Sequence, residues 1–102
     1  MSISSNVSSI QAHQSFMNAN ANNVANANTD GFVPTDTTLN ATEGGGVTAS
    51  FSKATSNGSV NSQTDLSKEM TDQVIVEKAV AANVNAIRTQ DEMFGSLLDI
   101  KA

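Results

Sequence analysis

Two narrow heptad stripes of apolar residues, one towards each end of the chain, most constrain what this sequence can fold into. In the first, across residues 3–28, apolar residues recur in alternating steps of four and three, interrupted only by Gln14 and Asn28. So thin a stripe is typical of a coiled-coil seam rather than of the broad face that a globular core needs. The residues assigned to this predicted seam are Ile3, Val7, Ile10, Met17, Ala21 and Val24.

The second stripe runs through residues 65–100 and predicts a second helix, with Asp65 as its N-cap. Its heptad frame is interrupted at Gln73, Glu77 and Asp91. The residues assigned to the seam here are Leu66, Met70, Val80, Val84, Ile87, Phe94 and Leu98. Further apolar residues at 74–76 and at 93, 97 and 100 widen the apolar surface, so this helix is expected to need more than one packing partner.

The segment between the stripes, residues 33–63, is rich in Thr, Ser and Asn and holds three consecutive glycines at 44–46. Val47, Ala49 and Phe51 alternate with polar residues, which predicts one strand. The pair Asn57 and Gly58 is a turn signal, although little after it resembles a partner strand. We therefore predict a flexible connector with room for one short β-hairpin.

The predicted fold class is mainly α: an antiparallel two-helix coiled-coil hairpin with a short connector. It divides one structural domain into an N-terminal helical segment at 1–32, the connector at 33–63 and a C-terminal helical segment at 65–102. The first helix is expected to stop at residues 28–31, with Gly31 in the left-handed conformation and Pro34 just beyond.

Asparagine and serine are poor helix formers, and six asparagines lie between residues 18 and 28. A weak helix with a thin seam is marginal alone, and disorder of this segment in an isolated monomer is the alternative interpretation. We expect the helix to fold when the second helix and neighbouring subunits supply apolar surface, so the folded state is expected to be oligomeric or bound to partners.

Composition excludes several classes of function. The net charge of −5 argues against nucleic acid or an anionic membrane as the main partner. No apolar run approaches the roughly 20 residues that cross a bilayer. The N-terminus has no basic stretch followed by an apolar one, so no cleavable signal peptide is expected. The sequence has no cysteine, hence neither a disulfide nor a thiolate metal site.

Catalytic chemistry is not indicated either. His13 is the only histidine and has no acid near it in sequence, so it is interpreted as a polar helix position beside the seam rather than a ligand. The glycines at 44–46 lack the Gly-Lys-Ser/Thr of a phosphate loop. Asp91 and Glu92 are adjacent on a helix and point in different directions, which favours a solvated face or a salt bridge between subunits. We predict no cofactor, no metal and no enzymatic activity.

Both ends of the chain resemble a known family. Residues 22–32, NNVANANTDGF, resemble the N-terminal signature of the bacterial flagellar rod and hook proteins, and residues 65–100 resemble their C-terminal signature. The two motifs stand at the ends and in the order that the family shows. Matching positions are Asn22, Asn23, Ala25, Asn26, Asn28, Thr29, Gly31, Phe32, Asp65, Leu66, Glu69, Met70, Asn83, Thr89, Asp91, Glu92 and Met93.

The sequence departs from the family pattern at two places. Val80 stands where the family has an aromatic ring. The middle is short, because rod and hook proteins carry a substantial β-rich segment between their helices, whereas this chain has a connector of about thirty residues.

The resemblance implies a structural subunit or adaptor of the flagellar rod or hook, which assembles with copies of itself and with other axial proteins. It also implies location in the basal body, and passage through the flagellar type III export apparatus without a cleaved signal peptide. The alternative from another class is a soluble helical-hairpin binding module that caps or regulates rod assembly.

The resemblance also implies a tube in which the terminal helices of many subunits pack around a channel, and the uncharged N-terminal segment suits such a tube. Residues 1–29 contain no Asp, Glu, Lys or Arg. Ionised side chains between packed subunits would be costly to desolvate, whereas amides and hydroxyls can donate to and accept from neighbouring helices. A neutral polar lining would also neither grip apolar segments nor trap charged ones in a channel that carries unfolded substrate.

Overall fold

Two helices and one β-hairpin make up the protein. The structure is a computed structural model that describes residues 3–101, with the side chains of residues 3–98. The element order is α1 (Ile3–Ala25), β1 (Thr35–Ala41), β2 (Val47–Lys53) and α2 (Leu66–Lys101). Helices account for more than half of the chain, so the predicted mainly-α class is confirmed.

The two helices lie side by side and run in opposite directions, because hydrogen bonds join the start of α1 to the far part of α2 and the end of α1 to the start of α2. The bonded pairs are Asn6–Gln90, Ser9–Asn83 and Asn20–Glu69. With 36 residues against 23, α2 is the longer helix by about 20 Å at 1.5 Å per residue. The molecule is correspondingly elongated, 67 Å along its longest axis.

The end of α1 differs from the prediction. The helix stops at Ala25, and a series of tighter turns follows, in which the amides of Ala27 and Thr29 donate to carbonyls three residues earlier. Gly31 does adopt the predicted left-handed conformation, with φ of 72°. Its amide donates to Val60 O at 2.8 Å, so this glycine shapes the turn into the connector rather than capping α1.

The start of α2 follows the prediction. Asp65 caps the helix: its Oδ1 accepts from the Lys68 amide at 3.2 Å, and its carbonyl accepts from the Glu69 amide at 3.0 Å. One turn on, Lys68 Nζ lies 3.0 Å from Asp72 Oδ2. This hydrogen bond, with the attraction of the carboxylate, raises the pKa of Lys68 against the opposing effect of burial. A surface pair of this kind stabilises a helix only by about 0.3–0.5 kcal/mol.

The connector contains a regular antiparallel β-hairpin. Thr35 pairs with Lys53 at its open end and Ala41 with Val47 at its turn. The predicted strand at 47–52 is therefore present, but its partner precedes it, across the glycine-rich residues 44–46. Gly44 and Gly45 both have φ near 90°, a conformation that this tight turn requires and that side chains disfavour. Residues 57–58 do not turn a second hairpin.

The β-hairpin lies lengthwise on α1. Near its turn, Val47 donates its amide to Ser8 Oγ at 3.1 Å and accepts from the same hydroxyl at 2.9 Å. At its open end, the backbone of Thr35 bonds the side chain of Asn23. The lengths match, since seven extended residues span about 20 Å and the helix from residue 8 to residue 23 about 22 Å. Between them, Ala12 is buried.

Replacing Ser8 with alanine should loosen the β-hairpin from α1. The variant leaves the Val47 amide without its partner, so we expect a loss of about 1–2 kcal/mol in the free energy of unfolding. Hydrogen exchange at the Val47 amide should also be faster. Ser4→Ala, at an exposed position of the same helix, is the matched control. Unchanged protection of Val47 in Ser8→Ala would contradict the assigned attachment.

Candidate functional site: a buried polar seam and an uncovered apolar face

A buried carboxylate joins the two helices and the β-hairpin. Glu69 lies on the first turn of α2 and is only 3% exposed. Its Oε2 accepts a hydrogen bond from Asn20 Nδ2, and its Oε1 accepts one from Asn23 Nδ2 at 3.0 Å. Asn20 and Asn23 stand three residues apart on α1 and so present their amides on one helix face. The charge is thus held by neutral amide donors that are themselves buried.

Both asparagines use both amide protons and the side-chain oxygen in hydrogen bonds. The second proton of Asn20 Nδ2 goes to the backbone carbonyl of Glu69 at 2.8 Å, and its Oδ1 accepts from Gln73 Nε2 at 2.7 Å. Asn23 closes a two-bond ring with the backbone of Thr35, at 2.8 and 2.9 Å. Its own carbonyl accepts from Thr64 Oγ1 at 3.1 Å. We call Asn20, Asn23 and Glu69 the Asn–Glu cluster; it fixes the relative position of α1, α2 and β1.

The polar contact continues along the helices away from the cluster. Asn83 Nδ2 donates to Ser9 Oγ at 3.0 Å, and Asn6 Nδ2 donates to Gln90 Oε1 at 3.1 Å. Asn6 is fully buried, and its Oδ1 is the one buried side-chain polar atom in the described part of the chain without a hydrogen-bond partner. The buried polar side chains of the seam are therefore well supplied with hydrogen bonds at the Asn–Glu cluster and less well at Asn6, near the other end of the seam.

The residues through which α1 and α2 contact each other stand one position before the residues of the predicted apolar seam. On α1 it uses Asn6, Ser9, Asn20 and Asn23, which precede Val7, Ile10, Ala21 and Val24 by one residue. On α2 it uses Glu69, Val76, Asn83 and Gln90, which precede Met70, Glu77, Val84 and Asp91. One residue is a rotation of about 100° on a helix. The seam within the chain is a heptad pattern of mostly polar residues.

The predicted apolar frame is consequently turned towards solvent. Ile3, Val7, Leu66, Met70 and Val84 are each at least 40% exposed, and Ala21 is exposed too. Ile10, Met17, Val24, Val80 and Ile87 lie half-buried at the edge of the seam. Their role as a helix–helix interface is not tested within one chain, and it stays a prediction for contacts with other chains.

These residues share one face of the helix pair. Gln14 and Met17 of α1 line an open groove of about 490 Å³ together with Gln73, Val76 and Val80 of α2. On α1 this groove lies away from the side that Ser8 and Ala12 turn to the β-hairpin. We call this surface the apolar face; its members are Ile3, Val7, Ile10, Met17, Val24, Leu66, Met70, Val80, Val84 and Ile87.

Among the described residues, the hydrogen bond from Asn6 to Gln90 is the last that joins α2 to α1. All residues from 91 to 98 are exposed. We call this segment the α2 overhang. It carries Met93, Phe94, Leu97 and Leu98, each at least 55% exposed. Phe94 and Leu98 continue the predicted heptad frame of α2, so this part of the interface prediction is also open to other chains.

The N-terminal motif residues divide between structural roles and the surface. Asn23 belongs to the Asn–Glu cluster. Asn26 closes the end of α1, donating from Nδ2 to Asn22 O at 2.9 Å and accepting from Thr29 Oγ1 at 3.0 Å. Phe32 is half-buried, with Lys53 Nζ 5.3 Å from its ring centroid. Ala25, Asn28 and Gly31 are exposed.

The C-terminal motif residues divide in the same way. Asp65 caps α2, Glu69 is in the Asn–Glu cluster and Asn83 is in the seam. The others are exposed: Leu66, Met70, Thr89, Asp91, Glu92 and Met93.

The comparison with known families concerns the C-terminal part of the chain. Residues 57–100 match the family model described as flagellar basal body rod FlgEFG protein C-terminal. Over these residues the chain is similar to the flagellar rod/hook family. The matched residues include the N-cap Asp65, the seam residues of α2 and the α2 overhang. The N-terminal motif lies outside the matched residues and stays a resemblance. No curated protein matches the chain.

The matched C-terminal domain indicates a structural protein of the flagellar basal body. The family is structural rather than enzymatic. His13, the one histidine, is half-buried, and its Nδ1 lies 2.7 Å from the Ser9 carbonyl. No group of three or more metal-ligating side chains occurs among the described residues. Neither described helix is long and apolar enough to span a bilayer.

Sequence reasoning missed Asn20 and treated Gln73 as an interruption of the seam. A signal was present: Asn6, Ser9, His13, Asn20 and Asn23 all fit one heptad frame, set one residue before the apolar frame. This polar frame was not recognised as the seam because the seam positions of a coiled coil are expected to be apolar.

Replacing Glu69 with glutamine should destabilise the fold although the shape is nearly kept. Glutamine offers one acceptor oxygen instead of two, and its amide group would face an asparagine amide donor. We expect a loss of roughly 1–3 kcal/mol, measured by urea unfolding followed by circular dichroism. Glu77→Gln, on an exposed position of α2, should change stability by less than about 0.5 kcal/mol. Equal effects of the two variants would refute the role of the cluster.

Proposed function

We propose that this chain is an axial subunit or adaptor of the flagellar rod or hook that assembles through its terminal helices. The observation that carries the proposal is the apolar face, together with the α2 overhang. Contiguous apolar surface of this extent on a small chain is typical of a protein–protein interface. The apolar face lies on both helices, so neighbouring subunits that pack side by side in a tube would contact it.

The helix pair itself we propose to be an antiparallel coiled-coil hairpin with a polar seam. Heptad spacing of the contact residues on both helices supports this assignment. The seam buries a carboxylate and several amides, which favours one register because a shifted pairing would leave them unsatisfied. The apolar residues that usually hold a coiled coil together remain available for neighbours.

The outer side of α1 fits a channel lining. Gln11, Asn18 and Asn22 are exposed and uncharged, and they belong to the segment without Asp, Glu, Lys or Arg. In the proposed assembly this stripe lines the tube, while the apolar face contacts neighbouring subunits and other axial proteins. A neutral lining adds no electrostatic barrier for an unfolded polypeptide that moves along it.

Assembly distinguishes this proposal from the alternative, a soluble module that caps or regulates the rod. An axial subunit should co-purify with basal bodies and appear as density in the rod or hook by electron cryo-microscopy, and it should form oligomers or filaments at high concentration. Protein that stays monomeric and binds a single axial protein at a fixed ratio, without entering basal bodies, would establish the alternative instead.

We further propose that the first residues carry an uncleaved signal for the flagellar type III export route. The support is the similarity of residues 57–100 to the rod and hook family, together with the weak, uncharged N-terminal helix, which can thread a narrow channel unfolded. Deleting residues 2–20 should abolish secretion into the medium, measured by immunoblotting culture supernatant against whole cells. A deletion of residues 42–46, in the β-hairpin turn, serves as the control and should still be secreted. Normal secretion of the N-terminal deletion would rule the signal out.

A further inference from the structure

The pair Asn57–Gly58 is a turn signal that the fold does not use to turn a hairpin. It lies between β2 and α2, outside any helix or strand, and both residues are exposed. Asn57 is the only asparagine in the sequence that glycine follows. Such a pair has a chemistry of its own, because the amide nitrogen of the glycine can attack the side-chain carbonyl carbon of the asparagine and close a five-membered ring.

Glycine and the irregular backbone both favour this ring closure. The reacting groups belong to adjacent residues, so their encounter is intramolecular, and the glycine has no Cβ to hinder it. Asparagines such as Asn20 and Asn22 lie within α1, where regular helical geometry keeps the following backbone nitrogen away from the side-chain carbonyl carbon. The connector imposes no such geometry on Asn57.

Two hydrogen bonds assist the reaction at the atoms that change charge. The Ser59 amide donates to Asn57 Oδ1 at 2.9 Å, and this oxygen gains negative charge when the carbon that bears it is attacked. A donor in that position stabilises the oxyanion. The Gly58 amide donates to Ser56 Oγ at 3.2 Å, so the proton that must leave the attacking nitrogen points at an exposed hydroxyl group, from which it reaches water.

We propose that Asn57 is a site of spontaneous deamidation in the folded chain, promoted by the Ser59 amide. The Gly58 nitrogen loses its proton to water and bonds to Cγ of Asn57. The bond between Cγ and Nδ2 then breaks, and Nδ2 takes up a proton from water and leaves as ammonia. The product of this step is a cyclic imide between residues 57 and 58.

Water opens the imide at either of its two carbonyl carbons. Cleavage between the Gly58 nitrogen and Cγ gives aspartate at position 57. Cleavage between that nitrogen and the backbone carbonyl carbon gives isoaspartate, in which the main chain runs through the former side chain. The balance is one water consumed and one ammonia released, without an oxidant, a cofactor or an enzyme.

The modification changes both the charge and the path of the connector. Residues 54–64 carry no charged side chain, so either product introduces the first carboxylate into this segment. The Asn57 amide donates to Gln63 Oε1 at 3.1 Å, and the Gln63 amide donates to Phe32 O at 3.0 Å. Isoaspartate lengthens the main chain by one carbon next to these bonds, so it is expected to loosen the connector from the turn after α1.

The test is incubation of the full chain at neutral and at mildly alkaline pH, followed by peptide mass spectrometry that locates each deamidated residue. Asn57 should deamidate first, and its rate should rise with pH because the attacking nitrogen must lose a proton. Asn61 is the internal control, since it is exposed in the same connector but is followed by serine. Chromatography of the peptides should separate aspartate from isoaspartate at position 57.

Two variants isolate the contribution of the Ser59 amide. Ser59→Pro removes the N–H that contacts Asn57 Oδ1, whereas Ser59→Ala keeps it and removes only the hydroxyl. Loss of one oxyanion donor costs about 10²–10³ in rate in an enclosed enzyme site, and the exposed connector should show a smaller decrease, about tenfold, in Ser59→Pro. Ser59→Ala should react like the wild type, and circular dichroism verifies that both variants fold.

Each result decides one part of the proposal. Deamidation of Asn57 no faster than that of Asn61 overturns the site itself. Equal rates in Ser59→Pro and Ser59→Ala overturn the promotion by the Ser59 amide. The proposed axial function is tested separately, by assembly and by co-purification with basal bodies, and it stands whichever way these measurements fall.

Discussion

The structure depends on one buried carboxylate. Glu69 loses its hydration when α2 packs on α1, and the side chains that donate hydrogen bonds to its carboxylate are neutral amides. What makes its burial tolerable is a set of preoriented amide donors, since hydrogen bonds to a charged acceptor are worth about 1.5–3 kcal/mol each. Asn23 in turn is held by the backbone of β1. The helix pair and the β-hairpin are therefore mutually dependent, because each positions a group that the other needs.

This arrangement answers why the chain concentrates asparagine in a helix that asparagine weakens. Asn20 and Asn23 supply two donors and one acceptor each in a space where a serine would be too short and a lysine would add a charge. Asn26 performs a different task, at the end of the helix, where its side chain reaches the Asn22 carbonyl. Asparagine lowers the helix propensity of its own segment only, whereas its hydrogen bonds stabilise the packing of the helices and the β-hairpin. Helix propensity alone therefore does not explain why these residues are present.

The sequence was sufficient to predict the two helices, their order, the N-cap at Asp65 and a strand at Val47, because each has a short-range signal. The partner of that strand was not predicted, since Thr35, Thr37 and Leu39 alternate less clearly and precede the glycines rather than following a turn dipeptide. The seam was placed one residue away from the contact found here, because periodicity identifies an apolar stripe but not the partner that covers it. The Asn–Glu cluster joins residues 46–49 positions apart, a relation to which no local pattern refers.

The uncharged character of α1 has a consequence for how the assembled protein would respond to its surroundings. Dissolved ions largely screen interactions between exposed charges that lie more than a Debye length apart, about 8 Å at physiological ionic strength, and this screening acts only on charged groups. Contacts that α1 contributes would therefore not be weakened by screening as the salt concentration rises. A structure that reaches from the cell envelope towards an environment of changing salinity would gain mechanical constancy from a helix in which almost nothing can ionise.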